Sequence, residues 1–159
     1  MSDQAHAAGT RAPRERKKLG LVDSLVQLSF LIQAVLGRIA AEYELSMSQV
    51  RLLGILRDRR PGMLELAAHL SLDKSSITGL VDRAEQRGLV ERAKTPEDRR
   101  GVRVSLTRKG HALAAAFGKQ VEREIVRLAE GLAADGRKAL SDLASQIVAG
   151  AGAETSLRR

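Results

Sequence analysis

At Gly88 the hydrophobic period of this chain switches from that of a helix to that of a strand. Upstream, Ile77, Leu80, Val81 and Ala84 fall at i, i+3, i+4 and i+7, one narrow stripe of a helix running from Lys74 to Arg87. Downstream, Leu89–Thr95 and Val102–Thr107 flank Pro96-Glu97-Asp98-Arg99-Arg100-Gly101, and Val102, Val104 and Leu106 alternate with polar residues. That pattern is a β-hairpin with a charged tip. The helix face opposite the stripe carries Ser75, Ser76, Thr78, Gly79, Asp82 and Arg83. A solvated helix usually displays long Glu and Lys side chains there, so this short polar face is suited to lying against another surface.

The segments around this helix and hairpin are also helical in period. Met63–Leu70 turns Leu66, Ala67 and Leu70 inward, Ser71-Leu72 makes a tight link, and Asp73 is placed to cap the next helix with its carboxylate. An earlier helix starts near Ser48, with Ser46 or Met47 at its entrance and Val50, Leu52, Leu53 and Leu56 inward, and stops at Asp58-Arg59-Arg60-Pro61-Gly62. From Leu19 to about Tyr43, apolar residues from Leu21 to Ile39 cover more than one stripe and require two sets of neighbours, one of which a second subunit can supply. Thr107 caps a helix from Arg108 to about Leu132 with Leu113, Phe117, Val121, Ile125, Leu128 and Leu132 on one side. A last helix, from about Asp135 to Val148, turns Leu140, Leu143, Ala144 and Ile147 inward. Residues 1–18 are expected to be a basic flexible tail and 151–159 a flexible end.

Composition narrows the class. The 159 residues suit one domain, and 27 Lys and Arg against 19 Asp and Glu give a net charge of +8, which fits nucleic acid, an anionic membrane or an acidic protein as partner. Aromatics amount to 2%, so the core must be built from Leu, Val, Ile and Ala, which favours helices. There is no Cys, which excludes disulfides, thiolate metal sites, a catalytic thiol and thiol sensing. The apolar run Leu21–Ala41 is broken by Asp23, Gln27, Gln33 and Arg38, and the N-terminus has no signal-peptide core, so a soluble cytoplasmic protein without a membrane partner is expected. His6, His69 and His111 have no ligand spacing, and Glu122 and Glu124 beside Arg123 are expected to be solvated charges. No nucleophile elbow, phosphate loop or dinucleotide fingerprint is present, so no enzyme activity, metal or cofactor is expected.

Two short helices joined by a tight turn, the second with a small polar outer face and a basic hairpin directly after it, describe a winged helix-turn-helix. The major groove is about 12 Å wide and admits one helix, whose first turns reach base edges. The hairpin can then place Arg99 or Arg100 in a neighbouring minor groove, whose negative potential favours inserted Arg. Taken singly, the same residues have plainer readings. Ser75 and Ser76 can serve as caps, Arg83 can pair with a phosphate or a carboxylate, Asp98 and Arg100 can form an exposed ion pair, and Arg103, Arg108 and Lys109 can form a solvated or phosphate-facing fringe.

The stretch from Leu66 to Gly110 resembles the MarR family of bacterial transcriptional regulators, most specifically in its wing pattern Asp98-x-Arg100 followed by alternating residues and Leu106-Thr107-x-x-Gly110. The resemblance implies a homodimer whose first and last helices interlock the subunits and place two recognition helices on a pseudo-palindrome. It also implies that Lys74, Ser75, Ser76, Thr78 and Gly79 lie at the DNA-facing start of the recognition helix. Arg100 matches the minor-groove arginine and Asp98 the carboxylate that orients it. Gly79 departs from the many relatives that carry a longer side chain there, which leaves open which bases are read.

The expected molecule is mainly α with a small β-hairpin wing. Residues 19–150 form one domain, comprising a winged helix-turn-helix lobe at about 47–108 and dimerisation helices at about 19–43 and 108–150. The expected partners are double-stranded DNA, a second copy and a small effector, with Lys74, Ser75, Ser76, Thr78, Gly79, Arg83, Arg99, Arg100 and Arg103 toward DNA. An architectural, sequence-tolerant DNA binder and a winged-helix protein-interaction module are the alternatives.

Overall fold

The computed structural model describes residues 18–94 and 102–157. In chain order its elements are α1 (Leu21–Glu42), α2 (Met47–Leu56), α3 (Met63–Leu70), α4 (Lys74–Gln86), β1 (Val90–Lys94), β2 (Val102–Leu106), α5 (Arg108–Leu128) and α6 (Ala134–Leu157). This is the mainly helical architecture with a two-stranded antiparallel wing that the period change at Gly88 called for. Val90 faces Leu106 and Lys94 faces Val102 across the hairpin.

The helix starts are set by local chemistry. Ser46 and Gln49 form a capping box, with Gln49 N–H donating to Ser46 Oγ at 3.2 Å and Ser46 N–H to Gln49 Oε1 at 3.0 Å. Asp73 and Thr107 cap α4 and α5 as expected. Three turns among the described residues take left-handed backbone: Glu44 after α1 has φ 53°, Ser71 in the α3–α4 link has φ 54° and Gly88 after α4 has φ 68°. At Gly88 the last carbonyls of α4 are closed by Gly88 N–H to Glu85 O and Leu89 N–H to Ala84 O.

The core lies between α2, α3, α4 and the hairpin. Leu52, Leu66, Ile77, Leu80, Val81, Leu89, Val90 and Val104 are essentially fully buried, and Tyr43, Leu113 and Phe117 pack against this cluster from α1 and α5. The loop before α3 extends the sheet, since Val104 N–H donates to Pro61 O at 3.0 Å and Gly62 bridges Arg103. Tyr43 and Phe117 meet edge to face, with centroids 5.9 Å apart.

The C-terminal region departs from the sequence reading. α5 stops at Leu128 instead of about Leu132, and α6 continues to Leu157 past Val148. Alanines at 149, 151 and 153 sustain the helix across Gly150 and Gly152. The apolar stripe of α6 does not point inward, since Leu143 and Ile147 are each 58% exposed. Among the described residues no other element packs extensively along it. Periodicity located the stripe correctly but assigned it to a core that the described residues do not provide.

A close set of hydrogen bonds joins the end of α4 and the base of the hairpin to the start of α5. Leu89 O accepts from Thr107 N–H at 3.1 Å, Thr107 Oγ1 donates to Gly88 O at 2.6 Å, and Gly110 N–H donates to Thr107 Oγ1 at 3.0 Å. A β-carbon at Gly110 would lie 2.0 Å from Leu89 O, so only glycine permits this approach. Gly110→Ala is expected to destabilise the chain by about 3 kcal/mol in urea unfolding. Gly118→Ala, on the same helix with open space around it, is expected to gain about 0.5–1 kcal/mol. Equal effects of the two substitutions would show that the close approach does not matter.

Candidate nucleic-acid interface

The exposed face of α4 is organised by its cap. Asp73 accepts from Ser76 N–H at 2.8 Å and from the hydroxyls of Ser75 and Ser76, each at 2.6 Å. Hydrogen bonds from Ser75 and Ser76 to the ionised form hold its carboxyl well below the usual carboxylate range, and the free amides of the first turn favour the same charge. One turn on, Thr78 Oγ1 donates to Lys74 O at 2.8 Å. A hydroxyl has one proton, so all three hydroxyls that the sequence placed on this face present only acceptor lone pairs, with a methyl at Thr78, to anything lying against it.

The side chains of Lys74 and Arg83 are exposed and make no hydrogen bond or ion pair with the described residues. Ser48, Leu72, Ser75, Ser76, Gly79 and Arg83 are among the residues around a shallow depression of about 300 Å³ on this face. The structure therefore brings Ser75, Ser76, Gly79 and Arg83 together, with Lys74 and Thr78 on the same helix. Arg103 sits apart: its Nη1 donates to Arg60 O at 3.0 Å and lies 3.9 Å from Glu65, tying β2 to the loop before α3. Asp98, Arg99 and Arg100 lie outside the described residues.

Two arginines that the sequence reading did not single out fix α4 in place. Arg92 on β1 reaches both Asp82 and Glu85 on α4 at 2.6 Å, with only a quarter of its own side chain exposed. Arg87, the C-cap of α4, donates to Glu44 O at 2.6 Å and Tyr43 O at 3.1 Å, which anchors α4 to the end of α1. Asp82 and Glu85 lie three apart and so share one helix side, which was the available signal for the first clamp. Nothing local announces the second, which spans 43 and 44 residues.

Charges elsewhere differ from expectation in one respect. Glu124 is not a simple solvated charge: Arg38 Nη2 on α1 donates to it at 2.8 Å, and Arg127 lies 3.5 Å away. The Arg38 hydrogen bond holds its carboxyl below the ordinary value. His69 and His111 line separate depressions, and among the described residues no group of His, Asp and Glu could hold a metal ion.

Comparison with known proteins gives a consistent result. The sequence pattern of the MarR family matches residues 45–102, which include α2, α3, α4 and β1. The transcriptional regulator PecS of Dickeya dadantii is 32% identical over 97 residues, which is 58% of this chain and 58% of PecS, so the match spans less than two thirds of that relative. The transcriptional repressor YetL of Bacillus subtilis is 32% identical over 113 residues, 69% of this chain and 68% of YetL. Among solved structures, the transcriptional repressor CouR bound to a 23-mer DNA duplex is 29% identical, with a TM-score of 0.68 over 81% of this chain and 92% of CouR.

Two outcomes follow from the geometry of the site. Because the Asp73 pKa is depressed on folding, its cap stabilises the protein fully above the unfolded carboxylate pKa of about 3.9 and is lost as pH falls below that. Asp73→Asn is therefore expected to reduce the loss of stability below about pH 4 relative to the parent chain, read as melting temperature against pH. Superimposable acid limbs would remove Asp73 from the account. Arg92→Met should lower stability by about 1 kcal/mol in urea unfolding, a modest value because both carboxylates are in contact with water. An unchanged midpoint would mean that the clamp contributes nothing.

Proposed function

Because the chain belongs to the MarR family, we propose that it is a sequence-specific, double-stranded-DNA-binding transcriptional regulator, acting as a homodimeric repressor released by a small effector. The carrying observation is the exposed face of α4. Short polar groups and Arg83 surround a shallow depression, Lys74 stands on the same helix, neither cation is paired among the described residues, and an antiparallel hairpin packs beside the helix. From Asp73 to Lys109 there are ten Lys and Arg against six Asp and Glu, so the basic surplus falls on α4, the hairpin and the first turn of α5.

In the proposed complex the start of α4 lies in the major groove and the hairpin reaches the next minor groove. Arg99 and Arg100 supply the inserted cation there, and Asp98 orients it. Ser75, Ser76 and Thr78 accept from base edges or pack against them, and Lys74 faces a phosphate. Arg103 acts on DNA indirectly, by holding β2 against the loop before α3.

Dimerisation accounts for apolar surface that this chain leaves open. Leu21 and Val22 on α1 and Val148 on α6 are each more than 70% exposed. α1 is long and apolar enough to cross a membrane by length and composition, and in this proposal the partner subunit covers it instead, in a cytoplasmic protein. A two-fold dimer places half-sites about 34 Å apart. A cavity of about 390 Å³ between α2 and α5, lined by Val50, Leu53, Ala114, Phe117 and Ile125 with Arg57 and Glu122, suits a small amphipathic effector. An effector that binds better to one placing of α5 against α2 shifts the population away from the spacing that fits both half-sites.

Selection from random duplexes by the purified chain is expected to yield a pseudo-palindrome, bound as a dimer in sedimentation. Preference over non-specific duplex should be at least about 10³-fold. Binding without preference would leave an architectural role. Unchanged DNA affinity at moderate salt after Ser75→Ala and Arg100→Ala together would leave a protein-interaction module.

A further inference from the structure

Every side-chain donor between Lys74 and Arg83 except those of these two residues is already in use. The hydroxyl protons of Ser75 and Ser76 go to Asp73, and that of Thr78 goes to Lys74 O. Guanine shows two acceptors, O6 and N7, in the major groove, so reading it from this stretch requires Lys74 or Arg83. Lys74 is the first residue of α4, a flexible point charge suited to a phosphate. Arg83 carries the planar fork that matches two acceptors at once.

The position of Arg83 is the second observation. Side chains on a helix lean toward its N-terminus, and Arg83 does so fully: a β-carbon at Gly79 would lie 3.2 Å from Arg83 Nη1. The guanidinium thus lies back over the backbone of the preceding turn, in a seat that exists because residue 79 has no side chain. That seat belongs to the same depression as Ser75, Ser76 and Ser48. Asp82 and Glu85, the acidic residues nearest in sequence, are both held by Arg92, which leaves the Arg83 fork unclaimed among the described residues.

We infer that Arg83, seated over Gly79, is the residue that determines specificity on this helix, and that it reads one guanine in each half-site through O6 and N7. The inference rests on the DNA-binding reading above. Gly79 is then a device and not a deficit: its missing side chain moves the reading group from the second turn of the helix to the third. A long side chain at 79 would take the place of the guanidinium and pass base contact to itself.

The test is selection of duplex sites by the full chain and by Arg83→Met, Arg83→Lys and Gly79→Leu, followed by affinities on the selected site with and without 7-deazaguanine, which lacks the N7 acceptor. The parent chain is expected to enrich one guanine per half-site and to lose about tenfold in affinity when that base is replaced. Arg83→Met should lose the preference at that position, keep it elsewhere and be indifferent to 7-deazaguanine. Arg83→Lys should retain the salt slope and lose the preference. Gly79→Leu should lose the same preference while its melting temperature rises, because leucine favours a helix over glycine, so misfolding cannot mimic the result. If the parent selects a site and Arg83→Met keeps the same guanine, the inference fails while the DNA-binding reading stands. If the parent selects no site, both fail.

Discussion

The close approach of Gly110 to the carbonyl of Leu89 holds the parts of this molecule in register. At that point the end of α4, the start of β1, the end of β2 and the start of α5 meet within a few residues, and Thr107 satisfies two of their backbone groups. Leu89 O takes the Thr107 amide, so the hairpin closes at its base where α5 begins. The wing and the long helix therefore leave the core in fixed directions relative to α4. The pattern Leu106-Thr107-x-x-Gly110 has a physical meaning here: an apolar plug, a cap with a second bond to spare, and a residue with no β-carbon.

Two arginines extend that rigidity in opposite directions. Arg92 ties the wing strand to the middle of α4 and neutralises two carboxylates that would otherwise stand near a polyanion. Arg87 ties the end of α4 to the carbonyls that terminate α1, and Lys109 Nζ donates to Arg87 O at 2.8 Å from the start of α5. The helix proposed to enter the groove is thus connected to both helices that flank the core. Both α1 and α5 are thereby hydrogen-bonded to the residue that ends α4.

Most of the fold was legible because its determinants are local. Caps at Ser46, Asp73 and Thr107 act over three residues, the stripe of α4 over four, and the glycine stop at a single position, so each leaves a mark in a short window of sequence. The chemistry of the site was less legible. Ser75, Ser76 and Thr78 were correctly placed on the exposed face of α4, but a residue name does not say where a hydroxyl proton points, and here two point to the cap carboxylate and one to the helix backbone. The clamps by Arg92, Arg87 and Arg103 join residues 7 to 44 positions apart. No periodicity encodes which distant carbonyl or carboxylate a flexible side chain will reach. The stripe of α6 shows the same limit from the other side: the period is correct, and among the described residues no surface covers it.

A short polar recognition face has a cost that the placing of Arg83 offsets. Serine and threonine near a helix start readily turn their hydroxyls to the cap and to the backbone, which stabilises the helix and reduces what it can donate. Where residue 79 carries a long side chain, that group can supply the missing donors from the second turn. With glycine there, the donors must come from the third turn, and the backward lean of helical side chains delivers Arg83 to the vacated surface. The same absence that weakens the helix by the low propensity of glycine makes room for the forked cation that α4 carries on this face. Cap, glycine and arginine are therefore best regarded as a single arrangement, in which changing residue 79 alters what Arg83 can do even though the two are four residues apart.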